Sequence, residues 1–416
     1  PVENASLMPW LAGTALLHSI VVMEKRDALK VWTIFLAILT FSLSLLGAFL
    51  VRSGVLTSVH SFASDPQRGV VILAILVGFI GGAFTLFAWR APMLRAGGIF
   101  APVSREGALV VNNLLLSACA ATVFVGTLYP LALEAATGEK ISVGAPFFNL
   151  TFGPLFLPLM FLIPFGQALA WKRGDLLGVA QRLAGVLLLS FLAAAVIAAV
   201  TTGAPYLYAL GVGLGVFVIL GSFVDVFGRV WRRGAGASIL AQRAFGLPLS
   251  AWGTALAHAG LGVSLIGIAA TGWGVETIGN FKVGESVGIG SYQLRIESVA
   301  PRSASNYREN VARMTVLRDG VEVASLEPSK RMYTTRQMPT TEAGIATIGL
   351  GQVYVALAEE MKEGEVGMRA YWKPWVLLIW IGSLIMAAGG TLSVADRRLR
   401  VGAARRAAPA RLAPAE

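Results

Sequence analysis

Two stretches of this chain are nearly the same, and each carries a residue able to do chemistry in an apolar setting. "GTALLHS" at 13–19 holds His18 and "GTALAHA" at 253–259 holds His258, two of only three histidines in the sequence. An imidazole kept from water needs a partner, which can be a hydrogen bond to a neighbouring helix, a proton path or a metal. A proton relay calls for intramembrane carboxylates as well. The mid-to-late-span candidate is Asp225, and Arg229 four residues on can pair it near the membrane boundary. That weighs toward two neutral imidazoles on facing helices ligating a haem iron from opposite sides. The third histidine lies elsewhere. "VRSGVLTSVHSFASDPQRG" sets His60 in a connection between apolar runs, with Arg52 and Arg68 at its two membrane borders and a turn at Asp65-Pro66. Ser53, Thr57, Ser58 and Ser61 allow a partly helical, amphipathic surface segment there. His60 reads either as an ordinary loop residue or as a ligand to haem at the outer surface, where the arginines suit propionates.

The elements that position these residues are membrane helices. The chain has 416 residues, of which 56% are hydrophobic and 14% charged, well below the roughly 25% charged residues of a soluble domain. Apolar runs long enough to cross a hydrocarbon core of roughly 30 Å recur at 4–23, 31–51, 69–89, 107–130, 150–171, 176–201, 203–228, 250–271 and 374–395. The formal charge of +11 raises nucleic acid as a partner, but its placement argues otherwise. Alternate connections hold Lys25, Arg26 and Lys30; Arg90, Arg95 and Arg105; Lys172, Arg173 and Arg182; Arg229, Arg232, Arg233 and Arg243; and a tail with Arg397, Arg398, Arg400, Arg405, Arg406 and Arg411. The short connections on the other side hold Arg52, Arg68 and Lys140. The positive-inside rule then puts residue 1 outside and Glu416 in the cytoplasm, and the charge is topological, so no nucleic-acid partner is expected.

This topology gives His18 and His258 a common depth. His18 precedes the inner boundary near Glu24, and His258 follows the same boundary near Pro248. At about 1.5 Å per residue, both imidazoles lie roughly 9–15 Å from one face. Gly13, Ala15, Gly253, Ala255, Ala257, Ala259 and Gly260 leave room beside them for close packing or for a flat cofactor.

The predicted architecture is a polytopic α-helical membrane protein of about nine spans with a small β-rich domain before the last. Residues 1–271 form a bundle of eight helices, 272–373 the β-rich domain on the outer face, 374–395 the last span, and 396–416 a disordered basic cytoplasmic tail. "SYQLRIESV" and "ARMTVLRDGVEVASL" alternate with period two, and Arg318-Asp319-Gly320 supplies a hairpin turn; "IATIGLGQVYVALAE" continues the pattern. Burial in so small a domain is expected to be modest, so that it rests on the helices or a partner. Cys119 reads as a packing residue. Asn112 and Asn113 are expected to satisfy backbone or neighbouring helices, and Tyr371, Trp372 and Trp375 to form an interfacial belt beside Lys373. "RGDLLG" at 173–178 reads as a cytoplasmic turn. The chain opens at Pro1 with its first span almost at once, which reads as the later portion of a longer protein.

"PVENASLMPWLAGTALLHS" and "FLVRSGVLTSVHSFASDPQRG" closely resemble the CcmF family, membrane haem lyase subunits of bacterial cytochrome c maturation within a wider group of haem-handling proteins. The likeness is detailed over residues 1–70 and looser to about 395, through "AHAGLGVSLIG" and the outer domain. It implies a resident haem b ligated at the positions of His18 and His258, with His60 as one axial ligand to the haem being delivered. It also implies attachment of haem vinyl groups to the two CxxCH thiols of apocytochrome c. The implied partners are a haem chaperone, apocytochrome c-binding subunits and a quinol electron donor, at the bacterial inner membrane. The family's tryptophan-rich WWD segment and a second periplasmic histidine precede the position matching Pro1, so the chain by itself is expected to be inactive. Other classes consistent with the residues are a transporter of haem or another solute, for which the Gly/Pro-rich "LTFGPLFLPLMFLIPFG" is the local support, and a docking scaffold. Within the family, a paralogue dedicated to a multihaem nitrite reductase fits equally.

Overall fold

The computed structural model describes residues 2–53, 66–94, 100–201, 206–334, 339–358 and 365–396. The helices are α1 (Val2–Arg26), α2 (Lys30–Arg52), α3 (Pro66–Arg90), α4 (Arg105–Thr137), α5 (Ala145–Thr151), α6 (Gly153–Ala168), α7 (Leu176–Val200), α8 (Tyr206–Val230), α9 (Ala237–Phe245), α10 (Leu249–Ala270) and α11 (Leu377–Ala395). Among the described residues, eight are long and apolar enough to cross a membrane singly, and α5 with α6 makes a ninth span bent by 47°. The bend falls where Gly153-Pro154 follows Phe152, since proline offers no N–H to continue the ladder of α5. Each apolar run expected from the sequence coincides with one of these spans. The basic tail expected to be disordered lies outside the described residues.

The chain forms two compact units: Pro1–Ala184 with Val275–Trp372, and Gly185–Gly274 with Lys373–Glu416. In the first, α1 lies against both α2 and α4. Ser19 and Thr33 share a hydrogen bond of 2.8 Å between hydroxyls. Gly47 lets α2 approach so closely that a Cβ there would stand 2.6 Å from the Ala5 carbonyl oxygen. Asn4 Nδ2 donates to Thr127 Oγ1 at 3.0 Å, joining the start of α1 to the far part of α4.

The first unit also contains the β-sandwich. Strands β1 (Val275–Lys282), β10 (Glu365–Lys373), β9 (Gly351–Leu357) and β8 (Gly344–Ile348) form one sheet in that order. The other runs β2 (Ser286–Ile289), β3 (Tyr292–Ser303), β4 (Tyr307–Arg318), β6 (Ser329–Tyr333) and β7 (Pro339–Glu342), with β5 (Val321–Leu326) also on β4. Alternation in the sequence decides the buried face: Tyr292, Leu294 and Ile296 turn inward while Gln293, Arg295 and Glu297 stay exposed or partly so. Asp319 (φ 52°) and Gly320 (φ 79°) make the two-residue loop between β4 and β5, the paired positive φ of a type I′ turn.

Burial here is larger than expected. Sixteen buried residues from both sheets close a core of the domain's own, including Ile289, Leu294, Met314, Val353 and Met368. Trp372 corrects the expected interfacial belt as well. It lies in β10, its ring 4.6 Å from that of Tyr292, and covers the edge of this core.

Glu309 is a buried charge in the sandwich. Its carboxylate accepts from Arg302 Nε at 2.6 Å, Arg331 Nε at 2.8 Å and Ser329 Oγ at 2.7 Å. Burial pushes its pKa up, but the hydrogen bonds from Arg331, Ser329 and Arg302 together outweigh burial and hold it down at about 2. A carboxyl depressed in the fold stabilises it above the usual carboxylate range and loses that contribution as pH falls toward 2. Glu309→Gln should therefore lower the melting temperature of the sheet signal at neutral pH and flatten its dependence on acid. Circular dichroism melts across that range measure both effects.

Candidate functional site

The two histidine segments fold the same way. In α1, Thr14 Oγ1 donates to the Trp10 carbonyl at 2.8 Å, and His18 Nδ1 lies 2.8 Å from the Thr14 carbonyl oxygen. In α10, Thr254 Oγ1 donates to the Ser250 carbonyl at 2.8 Å, and His258 Nδ1 lies 2.9 Å from the Thr254 carbonyl oxygen. A carbonyl only accepts, so in each ring Nδ1 carries the hydrogen and, in the neutral imidazole, the lone pair is on Nε2. Ligand histidines are oriented in this way, with one ring nitrogen tied to a backbone carbonyl and the other offered to a metal. Both rings are partly covered, and they lie in different compact units. The donor set of two neutral imidazoles of one tautomer fits axial ligation of an iron porphyrin.

α10 is held by glycine on two sides. Gly253, Gly260 and Gly267 meet α11 at Gly389, Gly382 and Ile379, while Gly262 meets Gly215 of α8. A Cβ on Gly260 would lie 2.5 Å from the Gly382 carbonyl oxygen, and one on Gly262 2.7 Å from that of Gly215. The room that Gly253 and Gly260 offered in the sequence is thus filled by α11. Helices in lipid associate through such close backbone approach. Gly260→Val should force them apart at a cost of about 1–3 kcal/mol or more. A lowered thermal stability of the purified protein in detergent would register this, and an unchanged melt would contradict the packing.

Arg52 ends α2 and Arg68 lies in the first turn of α3; both are exposed. Their helix ends touch, because a Cβ on Gly69 would stand 2.8 Å from Ser53 Cα. The structure so brings the two arginines to one place. His60 lies outside the described residues.

Comparison with known proteins adds the family. A model described as the CcmF C-terminal beta-sandwich matches residues 272–374, and one described as Cytochrome C assembly protein matches residues 1–57. The chain is 61% identical over 411 residues to the cytochrome c-type biogenesis protein CycK of Rhizobium meliloti, covering 98% of this chain and 60% of that protein. It is 39% identical to the cytochrome c-type biogenesis protein CcmF of Escherichia coli, covering 100% of this chain and 62% of that protein. The chain belongs to the CcmF family. It spans about three fifths of the length of these family members. A solved structure titled Cytochrome c Heme Lyase CcmF has the same fold, with a TM-score of 0.69 at 22% identity over 95% of this chain and 59% of that one.

This CcmF-family chain also holds polar groups that sequence reasoning missed or misjudged. Glu106, with a fully buried side chain in the first turn of α4, lies 2.7 Å from Arg26 Nε, and its two oxygens accept from the Lys172 backbone N–H at 3.0 and 2.9 Å. Arg105 beside it donates to the Leu169 carbonyl at 2.9 Å and to that of Gln167, and its guanidinium and Lys25 Nζ stand 5.6 and 5.4 Å from the Trp171 ring. This cluster ties the last turn of the His18 helix to α4 and to the turn after α6. The one signal for it was an acidic residue in the first turn, two positions after Ser104, whose side chain caps α4 by accepting from the Gly107 N–H at 3.0 Å. Asp225 behaves as expected, with Arg229 at 2.5 Å. Asn113 does not. It is 1% exposed, and among the described residues its Nδ2 has no acceptor. The short helix α9 was also unforeseen; Arg243 at its end donates to the carbonyls of Val230 and Arg229 at 2.8 and 2.6 Å, capping α8.

Proposed function

We propose that this chain is the haem-binding and apocytochrome-facing part of a cytochrome c haem lyase, with haem b ligated by His18 and His258. The observation that carries the proposal is the repeated Thr-x-x-x-His geometry, which presents Nε2 of both rings in one tautomer. Among the described residues no group of three or more His, Cys, Asp or Glu could hold a bare metal ion. An iron that arrives in a porphyrin needs only two axial donors, and imidazoles of this tautomer are of that kind.

In this reading Thr14 and Thr254 hold the imidazoles in register through their carbonyls. Bound haem b supplies a one-electron redox centre, for which a quinol is the proposed donor. His60 ligates the delivered haem as substrate at the periplasmic surface, and Arg52 and Arg68 neutralise its propionates. Thioether formation adds a cysteine S–H across each vinyl C=C: sulfur bonds to carbon, the hydrogen passes to the neighbouring carbon, and no electron is gained or lost overall. The protein's share is to position thiol and vinyl and to keep the iron reduced. Residues 1–271 and 374–395 form the membrane part, 272–373 the periplasmic domain that faces apocytochrome c, and 396–416 a cytoplasmic tail. Partners are a haem chaperone and apocytochrome c-binding subunits in the bacterial inner membrane, with the start of this chain periplasmic and Glu416 cytoplasmic. The substrate is a general c-type apocytochrome or a dedicated multihaem one.

In a strain deleted for the gene, the full-length protein should restore covalently bound haem, read from the pyridine haemochrome of a c-type cytochrome. Failure to restore it, with the protein present at normal level, would sink the lyase reading. The bent α5–α6 span is the one observation on the side of transport. Labelled haem accumulating in vesicles without an apocytochrome acceptor would favour that instead.

A further inference from the structure

Two buried side-chain donors on α4, Asn113 Nδ2 and Ser117 Oγ, have no acceptor among the described residues. Asn4 to Thr127 and Arg26 to Glu106 fix α1 antiparallel to α4 at both ends. Counting residue for residue from Asn4–Thr127 brings His18 level with Asn113, and counting from Arg26–Glu106 brings it level with the next residue, Leu114. On α4 the buried residues Glu106, Asn113, Ala120 and Thr127 recur every seven positions, and the first and last of them touch α1. Asn4, Leu11, His18 and Lys25 make the corresponding stripe on α1. A seven-residue repeat keeps to one side of a helix paired closely with another, so Asn113 and His18 stand on facing sides at one depth.

Asn113 Oδ1 accepts from Asn112 Nδ2 at 3.3 Å, yet among the described residues no acceptor reaches Asn113 Nδ2. Ser117, one turn further along, likewise buries an Oγ with no partner among the described residues. A buried donor without an acceptor is costly, and two in succession on one side of a helix mark a place where an acceptor comes from outside the chain. Once its ring nitrogens hold iron, haem b carries only two groups that accept hydrogen bonds, the propionate carboxylates. We propose that Asn113 and Ser117 receive one propionate of the haem ligated by His18, making Asn113 a positioning residue that sets how the porphyrin is turned about the iron–imidazole axis. His18, Asn112 and Ser117 around the amide are only partly covered, which leaves an approach for a carboxylate. This inference rests on the histidine-ligated haem proposed above.

The test is resonance Raman spectroscopy of the full-length protein purified with its haem, in the region of the propionate bending modes, whose frequency follows the hydrogen bonds the carboxylate receives. Asn113→Leu should keep the haem and shift a propionate band to lower frequency, Asn113→Gln should restore part of the shift, and Ser117→Ala should shift the band the same way by less. Ser117→Ala, a change that any helix accepts, decides the matter if Asn113→Leu loses its haem or fails to fold. With haem bound, an unshifted band overturns the propionate contact and leaves the amide to internal water. No haem in the unaltered protein overturns the histidine reading instead.

Discussion

His18→Ala and His258→Ala should each leave the full-length protein without its b-type haem. Removing an axial imidazole takes away the iron–nitrogen bond itself. Disturbing only the groups that orient a metal ligand already costs about 10–100-fold in affinity, so loss of the ligand should weaken retention by at least about 100-fold. The folded state gives no reason for collapse in either variant. His18 and His258 are only partly covered, and their helices are held by other contacts: Ser19 with Thr33 and Arg26 with Glu106 for α1, and the glycine contacts with α8 and α11 for α10. Haem content per purified protein should fall while the circular dichroism spectrum stays. Retained haem with an unchanged reduced spectrum in both variants would remove the assignment.

His60→Ala should separate the two haems. On the proposed reading the resident haem should remain at its normal level, while covalent haem on the cytochrome should fall to background, because the substrate would lose an axial ligand. A His60→Ala strain that still matures cytochrome c normally would dismiss that role. Arg52 and Arg68 set a graded comparison. They are exposed at adjoining helix ends, and if they hold the propionates as proposed, losing one charge-assisted contact would weaken substrate binding without abolishing it. Arg52→Ala should therefore lower the yield of mature cytochrome by less than His60→Ala.

The spans were legible because apolar length is a local property, and each run fills one helix or, at Gly153-Pro154, a bent pair. The sandwich strands β3, β4, β5 and β9 were legible from the period-two alternation of their sequence, strict in β9 and broken in β4 and β5, as was the Asp319-Gly320 turn. The polar contacts between helices were not. Nothing near Glu106 in the sequence says that Arg26 waits eighty residues away, because pairing across a bundle depends on register between helices and not on any local pattern. Asn113 failed in the opposite sense. An asparagine in an apolar run is expected to find a partner, and its Nδ2 finds none among the described residues. Trp372 read as a membrane-interface residue because Lys373 and an apolar run follow it, whereas the β10 ladder with β1 pairs it with Val275 and sets it on the sandwich core. The histidines were legible as a repeated word; the tautomer each adopts came only with the carbonyl four residues back.

The most direct measurement is pulsed electron paramagnetic resonance on the oxidised full-length protein grown with 15N-labelled histidine. Two imidazoles clasping one low-spin iron predict nitrogen couplings from a pair of axial ring nitrogens, reduced to one in either alanine variant that keeps any haem. A single labelled nitrogen in the unaltered protein, or none, would contradict the account.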